Sequence, residues 1–321
     1  MRRRVALAVV AAGAAAWVGA SWIVARTLAR RLISPYGLTP CQASREDLLS
    51  RLSAAGARVH DYRFAGSARA PDELCAILAT PAEGRSSRTI VFLHGKGGNA
   101  AEWAPDALRA VALGYNALLP DLRGHKPSGG EFVTYGLLER EDLAAAIAAA
   151  EVRFDLDASR LAAHSCSAGS STALVWAADE PRVRGIWLES PFADAREMAR
   201  HYLGILTGLP RAVLGLTTAF AVRRALGSLR AALDVTPEEI LASDPVRAAA
   251  RVRVPIFIVF GDEDRLVPPR FTQRLADVLP PGSTLWNPQG AGHCHHDNEP
   301  QKVNEREYVE RWTAFFAAVL S

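Results

Sequence analysis

Lysine is almost missing from this 321-residue chain, occurring only at Lys96, Lys126 and Lys302, so arginine carries nearly all of the positive charge. That imbalance reads as a compositional bias rather than as chemistry. The formal net charge is only +3, and without a strong basic excess nothing points to nucleic acid as a partner. Cysteine is scarce, with Cys41, Cys75, Cys166 and Cys294. If the chain is exported, Cys41 and Cys75 are a candidate pair, but four cysteines allow three connectivities and spacing does not choose among them. Cys166 and Cys294 read as small apolar side chains in tight places. There is no internal repeat, no low-complexity tract and no G-x-x-x-x-G-K-[ST] phosphate loop. What is present is ample apolar material, 49% of residues, enough for one full-sized domain carrying an insertion.

The N-terminus stands apart. Arg2, Arg3 and Arg4 precede an uncharged stretch from Val5 to Ala25, which Arg26, Arg30 and Arg31 close. Roughly 20 uncharged residues suffice to cross a bilayer. Val18-Gly19-Ala20 resembles a small-residue cleavage site, but the apolar run is long for a secretory signal, which favours an uncleaved anchor over a secreted product. Arginines flank both ends, so charge alone fixes no orientation; the expectation is an anchor over residues 1–31 with the remaining chain outside the cytoplasm. A connector over 32–57 follows, turning helical near Arg45-Glu46-Asp47.

From residue 58 to the end, strands and helices alternate. Arg58–Phe64 and Leu74–Thr80 read as an opening strand pair around Gly66, Ser67 and Pro71. Thr89–Leu93, Gly185–Glu189 and Pro255–Phe260 are short continuous apolar runs, the pattern of strands buried on both faces. Asn116–Pro120, Leu161–His164 and Ser283–Trp286 read as further strands. Helical periods cover Ala100–Leu113, Tyr135–Val152 and Asn304–Leu320. This alternation predicts an α/β fold with a mostly parallel sheet covered on both faces. Residues 194–245 break it with apolar helical segments such as Leu203–Leu206 and Ala219–Val222, interspersed with arginines. They read as a helical cap, placed where open α/β sheets take their ligands, and suited to a lipid-like substrate or a membrane surface.

Three loops carry chemistry. Ser165-Cys166-Ser167-Ala168-Gly169 follows the apolar run Leu161–Ala163; it matches G-x-S-x-G with Ser165 in place of the first glycine, a strand turning sharply into a helix with Ser167 at the apex. A serine there attacks a carbonyl once a base removes its proton. His94-Gly95-Lys96-Gly97-Gly98-Asn99 follows another buried strand, and the backbone N–H groups of Lys96, helped by Gly97, and of Ala168 are candidate oxyanion donors. After the run ending at Phe260, Asp262, Glu263 and Asp264 compete as the acid that orients a histidine. Gly290-Ala291-Gly292-His293 supplies that histidine. His293, His295, His296 and Asp297 also offer a metal-site reading, weakened by the lack of an H-x-E or C-x-x-C partner elsewhere.

The order serine, acid, histidine along the chain, with Leu93-His94-Gly95, Asp121-Leu122-Arg123-Gly124-His125, Ser128-Gly129, Tyr135-Gly136, Glu139, Asp142 and the Gly261–Pro268 turn, resembles the α/β-hydrolase superfamily over residues 88–320. It is similar in particular to membrane-anchored serine hydrolases of the ABHD type. The resemblance implies an α/β-hydrolase domain at 58–321 and, through G-x-x-D-x-x-V-P, Asp264 as the acid. It also implies Ser167 as nucleophile, His293 as base, and Lys96 and Ala168 as oxyanion donors. The expected activity is acyl-enzyme hydrolysis of a lipophilic ester or thioester, with no cofactor or metal. The alternatives are a peptidase of the same fold, for which Glu189 or Arg123 would hold a peptide terminus, and a non-catalytic membrane-tethered binding protein.

Overall fold

The computed structural model describes residues 2–37, 41–82 and 86–321. Residues 38–40 of the expected connector lie outside the described residues, as do the side chains of Arg2, Arg3 and Arg4. A long α1 (Arg2–Ile33) and a short α2 (Arg45–Ala54) lead into β1 (Arg58–Ala65) and β2 (Glu73–Thr80). Then come β3 (Arg88–Leu93), a 3-10 turn (Ala100–Trp103) running into α3 (Ala104–Ala112), β4 (Asn116–Asp121) and α4 (Glu139–Phe154). β5 (Arg160–Cys166), α5 (Ala168–Asp179) and β6 (Val183–Glu189) follow. The helices α6 (Ala195–Thr207), α7 (Gly215–Leu233), α8 (Pro237–Ala242) and α9 (Pro245–Ala249) interrupt the alternation. The chain closes with β7 (Ile256–Val259), α10 (Pro269–Gln273), β8 (Thr284–Trp286), α11 (Pro300–Val303) and α12 (Glu305–Val319).

The strands form one eight-stranded sheet in the order β1-β2-β4-β3-β5-β6-β7-β8. β2 runs antiparallel to both β1 and β4, and every pairing from β4 onward is parallel. The apolar runs are continuous because each strand feeds two cores. On β3, Val91 and Leu93 join one core with α4 and α5, while Ile90 and Phe92 join the other with α2, α3 and α12. Successive side chains on a strand point to opposite faces, so a sheet covered on both sides needs apolar residues at every position.

One boundary departs from the sequence period. The helix expected from Tyr135 begins only at Glu139. The buried Glu139 carboxylate accepts from the N–H groups of Thr134 and Gly136 at 2.7 and 2.8 Å and from the Thr134 hydroxyl. That folds residues 134–136 back over the helix start instead of winding them into it, and Gly136 takes a left-handed φ of 107° there.

Residues 1–34 and 195–235 form a compact unit distinct from the sheet domain. In it α1 packs along α7. Among the described side chains of α1, Ser21, Ala25, Ala29, Leu32 and Ile33 are buried, and the buried residues of α7 include Thr217, Thr218, Ala221 and Ala225. Small side chains at four-residue spacing let two helix backbones approach closely. Val9–Ile33 is long and apolar enough to cross a membrane, and Val9, Val10, Trp17, Val18, Trp22, Ile23 and Val24 are exposed on it.

Candidate active site

β5 ends at Cys166 and α5 begins at Ala168, so Ser167 alone makes the turn between them. Its backbone sits at φ 51°, ψ −116°, a conformation costly for a residue with a side chain and sustained only by its surroundings. One support is the Ser167 N–H, which donates to the Glu189 carbonyl at the end of β6 at 2.8 Å. Gly169 is required by close approach, because a Cβ there would meet the carbonyl oxygen of His94 at 2.6 Å and that of Leu93. Ser165, which stands where the motif has glycine, fits because its buried hydroxyl turns toward the Trp187 carbonyl, 3.4 Å away. Ser167 itself is partly exposed.

The three acids after β7 separate cleanly. Asp262 and Glu263 face water, whereas Asp264 is buried and its Oδ2 lies 2.8 Å from His293 Nδ1. Its other oxygen accepts from the N–H groups of Leu266 and Val267 at 2.9 and 2.7 Å. Burial pushes the Asp264 carboxyl up, but the charge and hydrogen bond of His293 and the Val267 N–H outweigh it and hold the group below its ordinary value. Asp262 has a different use: its Oδ1 accepts from the Gly290 N–H at 2.7 Å, and the Glu263 N–H donates to the Ala291 carbonyl at 2.9 Å. These bonds tie the acid loop to the loop that delivers His293.

The glycine-rich loop after β3 lies against the elbow. A Cβ on Gly95 would stand 3.4 Å from the Cβ of Ser167, so the Lys96 backbone follows directly beside the apex serine. Ala168 is the first residue of α5, where N–H groups have no partner within the helix. The Gly97 N–H is spoken for, donating to His125 Nε2 at 3.1 Å. His94 accepts from the Leu122 N–H at 3.0 Å and packs edge-on against His125. Burial drives both imidazoles below their ordinary pKa, so they serve here as neutral supports of the loop. Asp121 accepts from the Ala100 N–H at 2.8 Å and from Arg45.

Two residues set aside for a peptide terminus are committed elsewhere. Arg123 forms a buried two-point ion pair with Asp142, both contacts at 2.7 Å, and reaches Asp72. Glu189 sits in a buried cluster, accepting from His164 Nε2 at 2.9 Å, Trp187 Nε1 at 3.1 Å and the Tyr308 hydroxyl. Trp312 Nε1 donates to His164 Nδ1 at 3.2 Å, which leaves Nε2 to carry the proton that faces Glu189.

The cysteine readings need correction. Cys41 and Cys75 are both free thiols, and Cys166 and Cys294 are bonded to each other with their Cα atoms 6.3 Å apart. The two residues read as apolar fillers thus join the loop of Ser167 to the loop of His293. The sulfur atoms of Cys166 and Cys294 and a ring nitrogen of His293 lie within 4.8 Å of one another. Of the histidine-rich stretch, His293 turns inward to Asp264, while Asp297 is exposed to water. Adjacency in sequence was the available signal for the disulfide, since each cysteine neighbours a proposed site residue; the Glu189 cluster had none, because its members come from β5, β6 and α12.

An eight-stranded, mostly parallel sheet with a serine elbow after β5 and an acid–histidine pair on the loops after β7 and β8 defines a hydrolase of α/β architecture. Residues 90–306 match the model of the alpha/beta hydrolase family, and the chain belongs to that family. Among solved structures it is similar to the Pyrococcus furiosus esterase Pf2001, with a TM-score of 0.65 and 18% identity over 89% of this chain and 100% of the esterase. It is similar as well to a Mycobacterium tuberculosis puromycin-hydrolyzing peptidase, with a TM-score of 0.61 and 20% identity over 84% of this chain and 40% of the peptidase. At these identities the likeness is one of fold.

Proposed function

We propose that the chain is a serine hydrolase that cleaves carboxylic esters or thioesters of lipophilic acids through an acyl-enzyme. The observation that carries the reading is the buried Asp264–His293 pair, 2.8 Å apart, with the His293 loop bonded through Cys294 to the residue preceding Ser167. In this mechanism His293 Nε2 takes the proton from Ser167 as its Oγ attacks the carbonyl carbon. Asp264 holds Nδ1 protonated and stabilises the imidazolium. The N–H groups of Lys96 and Ala168 receive the oxyanion. His293 then protonates the leaving group, and on the second pass it activates the water that frees the acid and Ser167.

An esterase among the structural neighbours supports an ester substrate. Peptidases among them favour the rival, but Arg123 and Glu189 are buried in internal contacts and offer no charge to a peptide terminus. Lipophilicity is supported by the apolar α1 and by Ile205, Leu209 and Val213, exposed in the unit that contains it. We take Val9–Ile33 as a membrane anchor with the hydrolase domain outside the cytoplasm; the disulfide supports this side, because such bonds persist in oxidising compartments. Ser167→Ala tests the activity. It should abolish hydrolysis of p-nitrophenyl esters and labelling by a fluorophosphonate. Undiminished turnover would rule out this nucleophile, and a wild-type protein inert to both reagents would favour the binding-protein reading.

A further inference from the structure

We propose that the Cys166–Cys294 disulfide is a positioning element of the site, holding the Ser167 hydroxyl and the His293 imidazole in register for proton transfer; the proposal rests on the serine hydrolase reading above. The bond joins the residue directly before Ser167 to the residue directly after His293, across 128 positions of chain. The two loops arise far apart in the sheet. Ser167 leaves β5, whereas the His293 loop follows β8, with β6 and β7 between them in the strand order. The His293 loop must therefore reach back across two strands to meet the elbow.

Among the described residues, the hydrogen bonds around it do not make that connection. The His293 loop is tied to the acid loop through Gly290 with Asp262 and Ala291 with Glu263, and to itself through the Gly292 N–H and the Asn298 carbonyl. The elbow is tied to β6 through Ser167 and Glu189. Each loop is anchored to its own side, and the covalent bond spans the junction between them. Both cysteines are buried, so the bond lies inside the site wall. The Asp264–His293 contact does not depend on it, since Asp264 is held by the backbone of Leu266 and Val267.

This division gives the disulfide a distinct kinetic signature. Losing it should leave the acid–histidine pair intact and loosen only the serine–histidine relation. Geometry errors near 1 Å in an active site cost up to about 100-fold. The variants Cys166→Ala, Cys294→Ala and the double substitution should each lower kcat on p-nitrophenyl esters by roughly 10- to 100-fold. KM and the pH dependence of kcat/KM should stay as in the wild type, with a far-UV circular dichroism spectrum unchanged at 20 °C. Fluorophosphonate labelling should slow in parallel with kcat. The three variants should fall equally, because each removes the same bond. Values of kcat within twofold of the wild type in folded variants, or losses that add between the two singles, would overturn the proposal.

If the variants do not fold, the wild-type enzyme carries the test. Dithiothreitol transfers two electrons and two protons to the bond, yielding two thiols and its own cyclic disulfide. With two new thiols counted by mass spectrometry and the fold retained by near-UV circular dichroism, activity should drop and return on reoxidation; full activity in that reduced state would refute the role. Ser167→Ala run alongside separates the two readings. If it stays active, the nucleophile is wrong; if it is dead while disulfide loss is harmless, only the positioning role falls.

Discussion

Replacing Asp264 by asparagine isolates the electrostatic part of the proposed mechanism, and the hydrogen bonds around it dictate the outcome. One oxygen of Asp264 accepts from the N–H groups of Leu266 and Val267, at 2.9 and 2.7 Å, while the other faces His293 Nδ1 at 2.8 Å. An asparagine keeps the two backbone bonds only by placing its carbonyl oxygen there. Its NH2 group must then point at Nδ1 and donate to it. The imidazole is driven into the tautomer with its proton on Nε2, which cannot accept from Ser167. The same exchange in a well-studied serine protease lowers kcat about 10⁴-fold, equivalent to about 5 kcal/mol of transition-state stabilisation. A loss of that order in kcat on p-nitrophenyl acetate is expected, with the fold unchanged, because the shape and the backbone bonds persist. Asp262→Asn is the internal control: Asp262 is exposed, accepts from the Gly290 N–H through Oδ1, and the variant should keep kcat within a few fold. An Asp264→Asn enzyme retaining a tenth or more of its activity would defeat this reasoning, as would the larger loss appearing in Asp262→Asn.

Two desolvated ionisable groups, Glu102 in the 3-10 turn Ala100–Trp103 and Arg123 in its pair with Asp142, test the electrostatics of the fold. Burial raises the Glu102 carboxyl from 4.5 to about 7, partly offset by its bond with Cys41 and the Asn99 N–H. A carboxyl whose folded pKa is raised stabilises the fold fully below pH 4.5, loses that contribution as pH climbs to about 7 and contributes nothing above it. Glu102→Gln should therefore match the wild type in urea melts at pH 4.5 and exceed it at pH 8 by up to about 3 kcal/mol; an equal gain at both pH values would contradict the assignment. Arg123→Met strands the buried Asp142 and should cost about 3–5 kcal/mol at pH 8. The cost should shrink near pH 5, because burial already raises Asp142 to about 6 and protonation relieves it. A loss that is flat between the two pH values would mean Asp142 is not the group left unpaired.

Much of the fold was legible along the chain because its signals are local. A strand covered on both faces is largely apolar, so the runs Thr89–Leu93, Gly185–Glu189 and Pro255–Phe260 announced the strands that form at Arg88–Leu93, Val183–Glu189 and Ile256–Val259. A serine turn with no room for a Cβ must carry small neighbours, so the elbow around Ser167 did too. The start of α4 was missed because the Glu139 carboxylate competes for the backbone of residues 134–136, a contact that periodicity does not register.

Three questions belonged to the tertiary structure. Position in the chain left Asp262, Glu263 and Asp264 equivalent; burial beside His293 separates them, since only a shielded carboxylate acts strongly on an imidazole. Pairing among four cysteines depends on which loops meet, and only the crossing of the sheet brings Cys294 to Cys166. Arg123 and Glu189 look like free charges in sequence, yet folding encloses each with its partners. Residue type and spacing determined which elements form and which groups were candidates for the chemistry. Distance and desolvation, which exist only once the chain has closed on itself, decided which of those groups face one another.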